Sequence, residues 1–431
     1  MFRLLRRLNS SNHLLKKLLL QGLFWRGLNY LSVFLVTIVI ARLFQAGTSG
    51  LINYSINNLA LLILIAGMSL ESGTGYYSAK NEIPQSQLAG TSLANAIIVM
   101  AVTSISLMIS GASSGLILPA ILYCGGVTLM NYFTALYYSH YSYLLPNVVV
   151  VLMNMMLLGL ALLVPRWLSG GDGVLFLRIY FSSFFVMGVL LAVLYIRQFA
   201  GKIRLPPPQT IKKLYRYAAL AMLGNLVFFL VYRVDYWFVF RYSSVEALGN
   251  YIQVSKLGQI FMLIPVIIAS VIFTRAAKAD STDQIGELQK VSRILLLLYL
   301  IILATIVFIG RWLFPFVYGT TFSLMYIPFI ILSPGILSLS TLTLVTAFNA
   351  GRGNLKVNLV GGSLALVVIV FGNAIFTPKY GIFSASAVSS VGYLTYQIYI
   401  MLRLKKEIPG ISIHKFFIPA IADFSGVNEK N

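Results

Sequence analysis

Twelve apolar stretches, each about twenty residues long, fill nearly the whole chain. About twenty mostly apolar residues is what a helix needs to cross the hydrocarbon core of a bilayer. Inside lipid the backbone must satisfy its own hydrogen bonds, which makes stretches of this length helices. Twelve of them use about 240 of the 431 residues. What remains is short connections, one longer loop and two tails, with no room for a soluble catalytic domain. The expected fold is all-α: a polytopic membrane protein of 12 transmembrane helices in two six-helix bundles.

The spacing predicts helices over 23–44, 51–79, 88–110, 116–138, 144–164 and 174–196, then 217–240, 249–275, 291–314, 322–349, 355–376 and 382–402. Charge supports this count. The chain carries 32 Lys and Arg against 11 Asp and Glu, a net charge of +21, yet only 10% of its residues are charged; an ordinary soluble domain has about 25%. If the N-terminus is cytosolic, most basic residues fall in cytosolic connections, and the outer ones hold only Arg166, Arg178, Arg241, Arg311 and Lys379. That asymmetry predicts two cytosolic termini and an even number of spans. Basic residues spread over many connections read as membrane orientation rather than as a nucleic-acid patch. Cys124 is the one cysteine, so no internal disulfide forms. The three histidines lie far apart in sequence, and neither a metal nor a cofactor is expected.

The expected organisation is a basic, Leu-rich amphipathic segment over 1–20 on the cytosolic surface and a six-helix bundle over 21–200. A cytosolic linker over 201–216 contains Pro206, Pro207 and Pro208. A second bundle over 217–404 and a cytosolic tail over 405–431 complete it. The halves repeat weakly. Arg42 stands eight residues before Gly50, with Tyr54 following, and Arg241 stands eight before Gly249, with Tyr251 following. Both pieces join an outward-going helix to a returning one, as in parallel transporter repeats that enclose a cavity with alternating access.

Several segments carry a family resemblance: RVDYWFVFRYSSVEALGNYIQVSKLGQ (233–259), FPFVYGTTF (314–322), FTPKYGIFSASAVSSVGY (376–393) and RLFQAGTSGLINYS (42–55). In order and spacing they resemble the lipid-linked oligosaccharide flippases of bacterial surface-polysaccharide and O-antigen assembly. These belong to the multidrug/oligosaccharidyl-lipid/polysaccharide exporter superfamily. The resemblance implies a monomer in the bacterial inner membrane that moves a polyprenyl-pyrophosphate-linked oligosaccharide from the inner to the outer leaflet. Its partners would be the bilayer, the lipid-linked sugar and the polysaccharide assembly enzymes. The alternatives are a drug or small-cation antiporter of the same superfamily, which would want an acidic cavity, and a membrane glycan polymerase or ligase. The latter would want an outer loop or a carboxylate pair that this chain lacks.

A charge inside a span is expensive and usually faces a cavity or a partner. On that ground the pyrophosphate and sugar contacts are assigned to Arg26, Asn57, Asn225, Arg233, Gln253 and Lys256. For Arg26 the alternative is snorkelling to the interface; for Arg233 and Asp235 it is a shared position at the outer surface. Two residues apart on a helix, Arg233 and Asp235 point about 200° from each other, so one should face the cavity and the other a neighbouring helix. Glu71 and Asp235 are candidates for a coupling ion or an ion pair, and Glu71 shares a helix face with Asn53 and Asn57. Pro265 and Pro334 remove helix hydrogen bonds and are candidate hinges.

Overall fold

The computed structural model describes residues 13–111, 114–167, 173–277, 283–408 and 410–418; the side chains of 13–23, Arg26, Ser114, 162–167 and Asp283 also lie outside the described part. The expected amphipathic segment over 1–20 falls largely outside it. The described chain is helical almost throughout and carries no strand. In chain order the helices are α1 His13–Gly67, α2 Leu70–Ala79, α3 Gln85–Ile109, α4 Ser114–Ser139, α5 Leu144–Trp167 and α6 Gly173–Tyr195. There follow α7 Pro208–Arg233, α8 Asp235–Tyr242, α9 Val245–Phe261, α10 Leu263–Ala276, α11 Asp283–Tyr318, α12 Tyr326–Gly351 and α13 Leu355–Glu407.

Among the described residues, ten stretches are long and apolar enough to cross a membrane. Two of these, within α1 and α13, are pairs joined without a loop. Gln45 (φ 57°, ψ 179°) turns the chain inside α1, and Gly381 (φ 56°, ψ −136°) turns it inside α13. Twelve crossings result, and the protein is an all-α polytopic membrane protein.

Several boundaries differ from the sequence expectation, the ninth span for instance running Asp283–Tyr318 rather than 291–314, and three of the differences bear on the site. The second span, expected to run unbroken over 51–79, is interrupted at Met68 and Ser69, where α1 ends and α2 begins. The seventh starts earlier, at Pro208, because proline is well suited to the first turn of a helix. It tightens at Val234, whose carbonyl bonds Trp237 N–H at 3.2 Å. The eighth starts at Val245, where Ser244 caps it by accepting from Ala247 N–H at 3.2 Å, and it tightens at Met262.

The chain forms two compact units. One comprises residues up to Leu43 and Ser55–Leu226; the other comprises Phe44–Tyr54 and Val227 onward. Between helices in lipid there is little hydrophobic force, so close packing and interhelical hydrogen bonds hold them. The first unit packs α4 on α6 backbone to backbone: a Cβ on Gly126 would lie 2.3 Å from Phe184 C, and one on Gly188 2.5 Å from Gly126 O. A core of Leu70, Leu88, Phe133, Tyr137, Leu191 and Tyr195 surrounds this contact.

The second unit has its tightest contact where Phe44–Tyr54 meets α9. A Cβ on Gly50 would lie 2.7 Å from Gly249 Cα, and one on Gly249 1.8 Å from Ala46 O. The two glycines that mark the sequence repeat therefore touch each other. Tyr54 stacks on Phe240 beside them, with ring centroids 4.2 Å apart.

Candidate functional site

The second unit holds a polar cluster built on α9, whose residues 249–255 are all buried. The Gly50–Gly249 contact brings the start of the second span against this helix. One turn beyond Gly50, Asn53 is 4% exposed, and its Oδ1 accepts from Lys256 Nζ at 2.5 Å. Asn53 Nδ2 donates to Ser49 O at 2.8 Å, which fixes the amide so that its oxygen faces the lysine. Arg233 lies over the Phe229 ring, 5.3 Å from its centroid, and within electrostatic reach of Lys256. Two cations at this proximity repel each other unless an anion joins them.

Gln253 lies one turn before Lys256 on the same helix. It is 1% exposed, and neither its Nε2 nor its Oε1 has a hydrogen-bond partner among the described residues. An unsatisfied buried amide costs about 1–3 kcal/mol. Asn250, a turn earlier, is held by Glu246 O at 2.8 Å and Thr321 O at 3.1 Å through Nδ2, leaving its Oδ1 without a partner among the described residues.

Asp235 opens α8 and is buried. Its Oδ2 accepts from the Tyr251 hydroxyl and, at 2.9 Å, from Ser389 Oγ on α13. Its side chain thus ties α8 to α9 and α13. The aspartate is bound by Tyr251 and Ser389, while Arg233 lies over the Phe229 ring.

A second polar cluster occupies the first unit, at the interruption of the second span. Met68 (φ 53°) and Ser69 (φ 49°) are both left-handed. Neither is glycine, so each conformation costs about 1–3 kcal/mol and persists only where surroundings enforce it. Asn225 Nδ2 of α7 donates to Ser69 Oγ at 3.0 Å. The Tyr132 hydroxyl of α4 lies 3.0 Å from Gly67 O and 2.5 Å from Asn95 Oδ1 of α3. Asn95 Nδ2 in turn donates to the Tyr215 hydroxyl of α7 at 2.7 Å. At Gly67 a Cβ would stand 2.9 Å from the Tyr132 oxygen, so a larger residue there would displace that hydroxyl. Glu71 lies in the first turn of α2, half-buried, within electrostatic reach of Tyr132.

The assigned residues therefore separate. Arg233, Gln253, Lys256 and Asp235 come together in the second unit, with Asp235 turned to hydroxyls. Asn225 and Glu71 belong to the interruption in the first unit. Asn57, 1% exposed, lies in the first unit on the second arm of α1, and the interruption at Met68 ends the helix face that was to link it to Glu71. The Arg26 side chain lies outside the described part. Pro265, third in α10, cannot bond Phe261 O, and the Tyr299 hydroxyl donates to that carbonyl instead. Pro334 stands inside an unbroken α12, beside Ile331 O, which accepts from Ser390 Oγ at 2.8 Å.

Sequence reasoning missed Asn53, Ser69, Asn95, Tyr132, Tyr215, Tyr251 and Ser389 as site members. The available signal was polar residues in mid-span, yet Ser, Thr and Tyr are frequent there for structural reasons. Many bond the carbonyl one turn back, as Thr103 does to Val99 O at 2.7 Å.

No protein-family model and no curated sequence matches the chain. Solved structures do. The lipid II flippase MurJ, in an inward closed conformation, matches with TM-score 0.67 and 11% identity, over 92% of this chain and 88% of its own. A multidrug resistance MATE family transporter of the MOP superfamily, inward-facing, matches with TM-score 0.66 and 12% identity over 95% and 99%. The Vibrio cholerae MATE transporter VcmN in its bent form gives 0.61 and 14% over 93% and 98%. Identities this low establish architecture alone: over more than nine-tenths of its length the chain shares the fold of these structures.

Proposed function

We propose that this protein flips a polyprenyl-pyrophosphate-linked oligosaccharide from the inner to the outer leaflet of a bacterial cytoplasmic membrane, for surface polysaccharide assembly. The observation that carries this reading is the pairing of Arg233 with Lys256 amid neutral amides. Two cations within reach of each other, beside a buried glutamine neither of whose amide atoms has a partner among the described residues, form a receptor for an anionic head group with hydrogen-bonding sugars. A cation exporter would need the opposite balance. The adjacent carboxylate, Asp235, is engaged by Tyr251 and Ser389.

Both termini are cytosolic in this reading, and the protein acts as a monomer by alternating access, bending at Pro265 and Pro334. An inside-negative membrane favours outward movement of an anion by ~2.3 kcal/mol per charge per 100 mV. The lipid tail stays in the bilayer throughout.

The test is flipping of a fluorescent polyprenyl-pyrophosphate disaccharide in proteoliposomes, read by dithionite quenching. The wild-type protein moves the lipid above the rate of empty vesicles. Lys256→Met lowers that rate about tenfold or more, since a hydrogen bond to a charged group is worth about 1.5–3 kcal/mol. No movement above empty vesicles, or uptake of small cations that charge reversal at Lys256 leaves intact, overturns the assignment.

A further inference from the structure

We propose that the groove between the two arms of α13 is a binding site for an anionic phospholipid, which lays one acyl chain along the groove and sets its phosphate against Lys379. The site belongs to the second unit alone, and it stands whichever cargo the protein carries.

The groove follows from the hairpin. Gly381 (φ 56°) turns α13 back on itself, and the arms run antiparallel in close contact: a Cβ on Gly372 would lie 2.7 Å from Val388 Cγ1, and one on Gly392 2.4 Å from Ile369 Cγ1. Along one side of this seam the first arm presents Val368, Gly372, Phe376 and Tyr380, a row spaced four residues apart, and the second arm presents Ala387 and Val391. Gly372 and Ala387 are small and leave room at the floor. Phe376, Tyr380, Phe383 and Val391, each 44% to 52% exposed, form the rim. The cavity between them is about 480 Å³ and almost wholly apolar. Ser384, in the wall, turns its Oγ to Gly381 O at 2.8 Å.

Three features fix the occupant. The first is place: α13 is apolar enough to cross a membrane along both arms, so an exposed groove on it opens to hydrocarbon. The second is length. From Val368 to Tyr380 the groove covers about 18 Å of helix at about 1.5 Å per residue, and half of the hydrocarbon core is about 15 Å. That depth suits an acyl chain confined to one leaflet, whereas a polyprenyl chain long enough to pass the midplane would overrun it. The third is charge. Lys379 stands exposed beside the turn that closes the groove, with Nζ 5.3 Å from the centroid of the Tyr380 ring. It makes no salt bridge among the described residues, whose ion pairs join Glu82 to Lys80 and Lys213, and Glu287 to Arg275. The ring holds the ammonium at the mouth of the groove, where one cation meets one phosphate.

Selection divides between the two ends. Lipid chains are as apolar as the groove wall, so the wall chooses by shape and adds little preference for one lipid over another. The head group is chosen by Lys379: one lysine near a membrane surface favours an anionic lipid about fivefold, equivalent to about 1 kcal/mol.

The experiment is native mass spectrometry of the full chain in detergent, titrated with dioleoyl phosphatidylglycerol or dioleoyl phosphatidylcholine. The wild type binds its first phosphatidylglycerol about fivefold more tightly than phosphatidylcholine, and Lys379→Gln removes that preference. Arg311→Gln, which removes an exposed cation of α11, leaves it unchanged. Ala387→Phe fills the floor of the groove and abolishes the first bound phosphatidylglycerol. Val391→Phe, at the exposed rim, weakens it and decides the matter if Ala387→Phe fails to fold. No preference in the wild type, a preference lost as fully in Arg311→Gln as in Lys379→Gln, or binding left intact by the groove-filling variants overturns the proposal. Displacement of phosphatidylglycerol by equimolar polyprenyl phosphate, or a dimer of the chain that the groove-filling variants dissolve, assigns the groove to another occupant and overturns it too. None of these readings uses a lipid-linked sugar, so a failure to flip one leaves this site standing and the reverse also holds.

Discussion

Gly249→Ala tests the packing that assembles the Lys256 cluster. A Cβ at this position would stand 1.8 Å from Ala46 O and 2.6 Å from Ala46 C. Carbon and oxygen rest comfortably at about 3.5 Å, so α9 and the segment after Gln45 must separate by roughly 1.5 Å. Both colliding atoms are backbone, and no change of rotamer relieves them. Overpacking of this kind costs about 1–3 kcal/mol. The separation also stretches the bonds from Ala46 N to Thr321 Oγ1 (3.1 Å) and from Lys256 to Asn53 (2.5 Å), weakening each by about 1 kcal/mol. Alanine returns about 1 kcal/mol through helix propensity. The net loss is about 2–4 kcal/mol, which lowers a melting temperature by about 4–16 °C for a unit of this size. Thermal unfolding in detergent, followed by intrinsic fluorescence at one fixed scan rate, measures it. The control is Gly224→Ala in α7, where a Cβ meets nothing within 4 Å; it should raise the melting temperature by about 1–4 °C. A Gly249→Ala protein melting within 2 °C of wild type would refute the argument.

Two further outcomes follow from individual contacts. Gln253→Leu removes a buried amide whose two polar atoms lack partners among the described residues, so it should stabilise the protein by about 1–3 kcal/mol while slowing flipping; a lower melting temperature would contradict the placement of that side chain. Glu82 is held below the usual carboxylate range by its hydrogen bond from Lys213. A depressed carboxylate stabilises the fold above its unfolded value, and that contribution disappears as pH falls through the folded value. The melting temperature of the wild type should therefore drop more steeply below about pH 4 than that of Glu82→Gln, and parallel pH profiles would exclude the link.

The number of crossings was legible because length and hydropathy are properties of single stretches. The two pairs joined at Gln45 and Gly381 were also separable, since separate spans were expected over 23–44 and 51–79 and over 355–376 and 382–402. The interruption at Met68–Ser69 was not legible, because neither residue is a helix breaker; the strain is imposed by Tyr132, Asn95 and Asn225, which lie 27 to 157 residues away. Asn53 and Lys256 are 203 residues apart, and no local periodicity predicts their bond. The charges themselves were conspicuous, but which unit each serves depended on tertiary contacts: Asn225 was expected beside Arg233 on one helix, and instead bonds Ser69.

Within an apolar solvent, the decisive distinction is between polar groups that find a partner in the protein and those that do not. Pro265 strips Phe261 O of its helix bond, and Tyr299 supplies another. Asp235 is buried, and Tyr251 and Ser389 bind it. These arrangements return to structure what the sequence took away, and substitution there should act first on folding. Gln253 is as deeply buried and receives nothing from the described residues. A membrane protein that retains such an amide sacrifices stability at that position, and the loss makes physical sense when a passing ligand supplies the missing hydrogen bonds. By that criterion the face of α9 carrying Gln253 and Lys256, rather than Asp235, is the place we propose for the cargo.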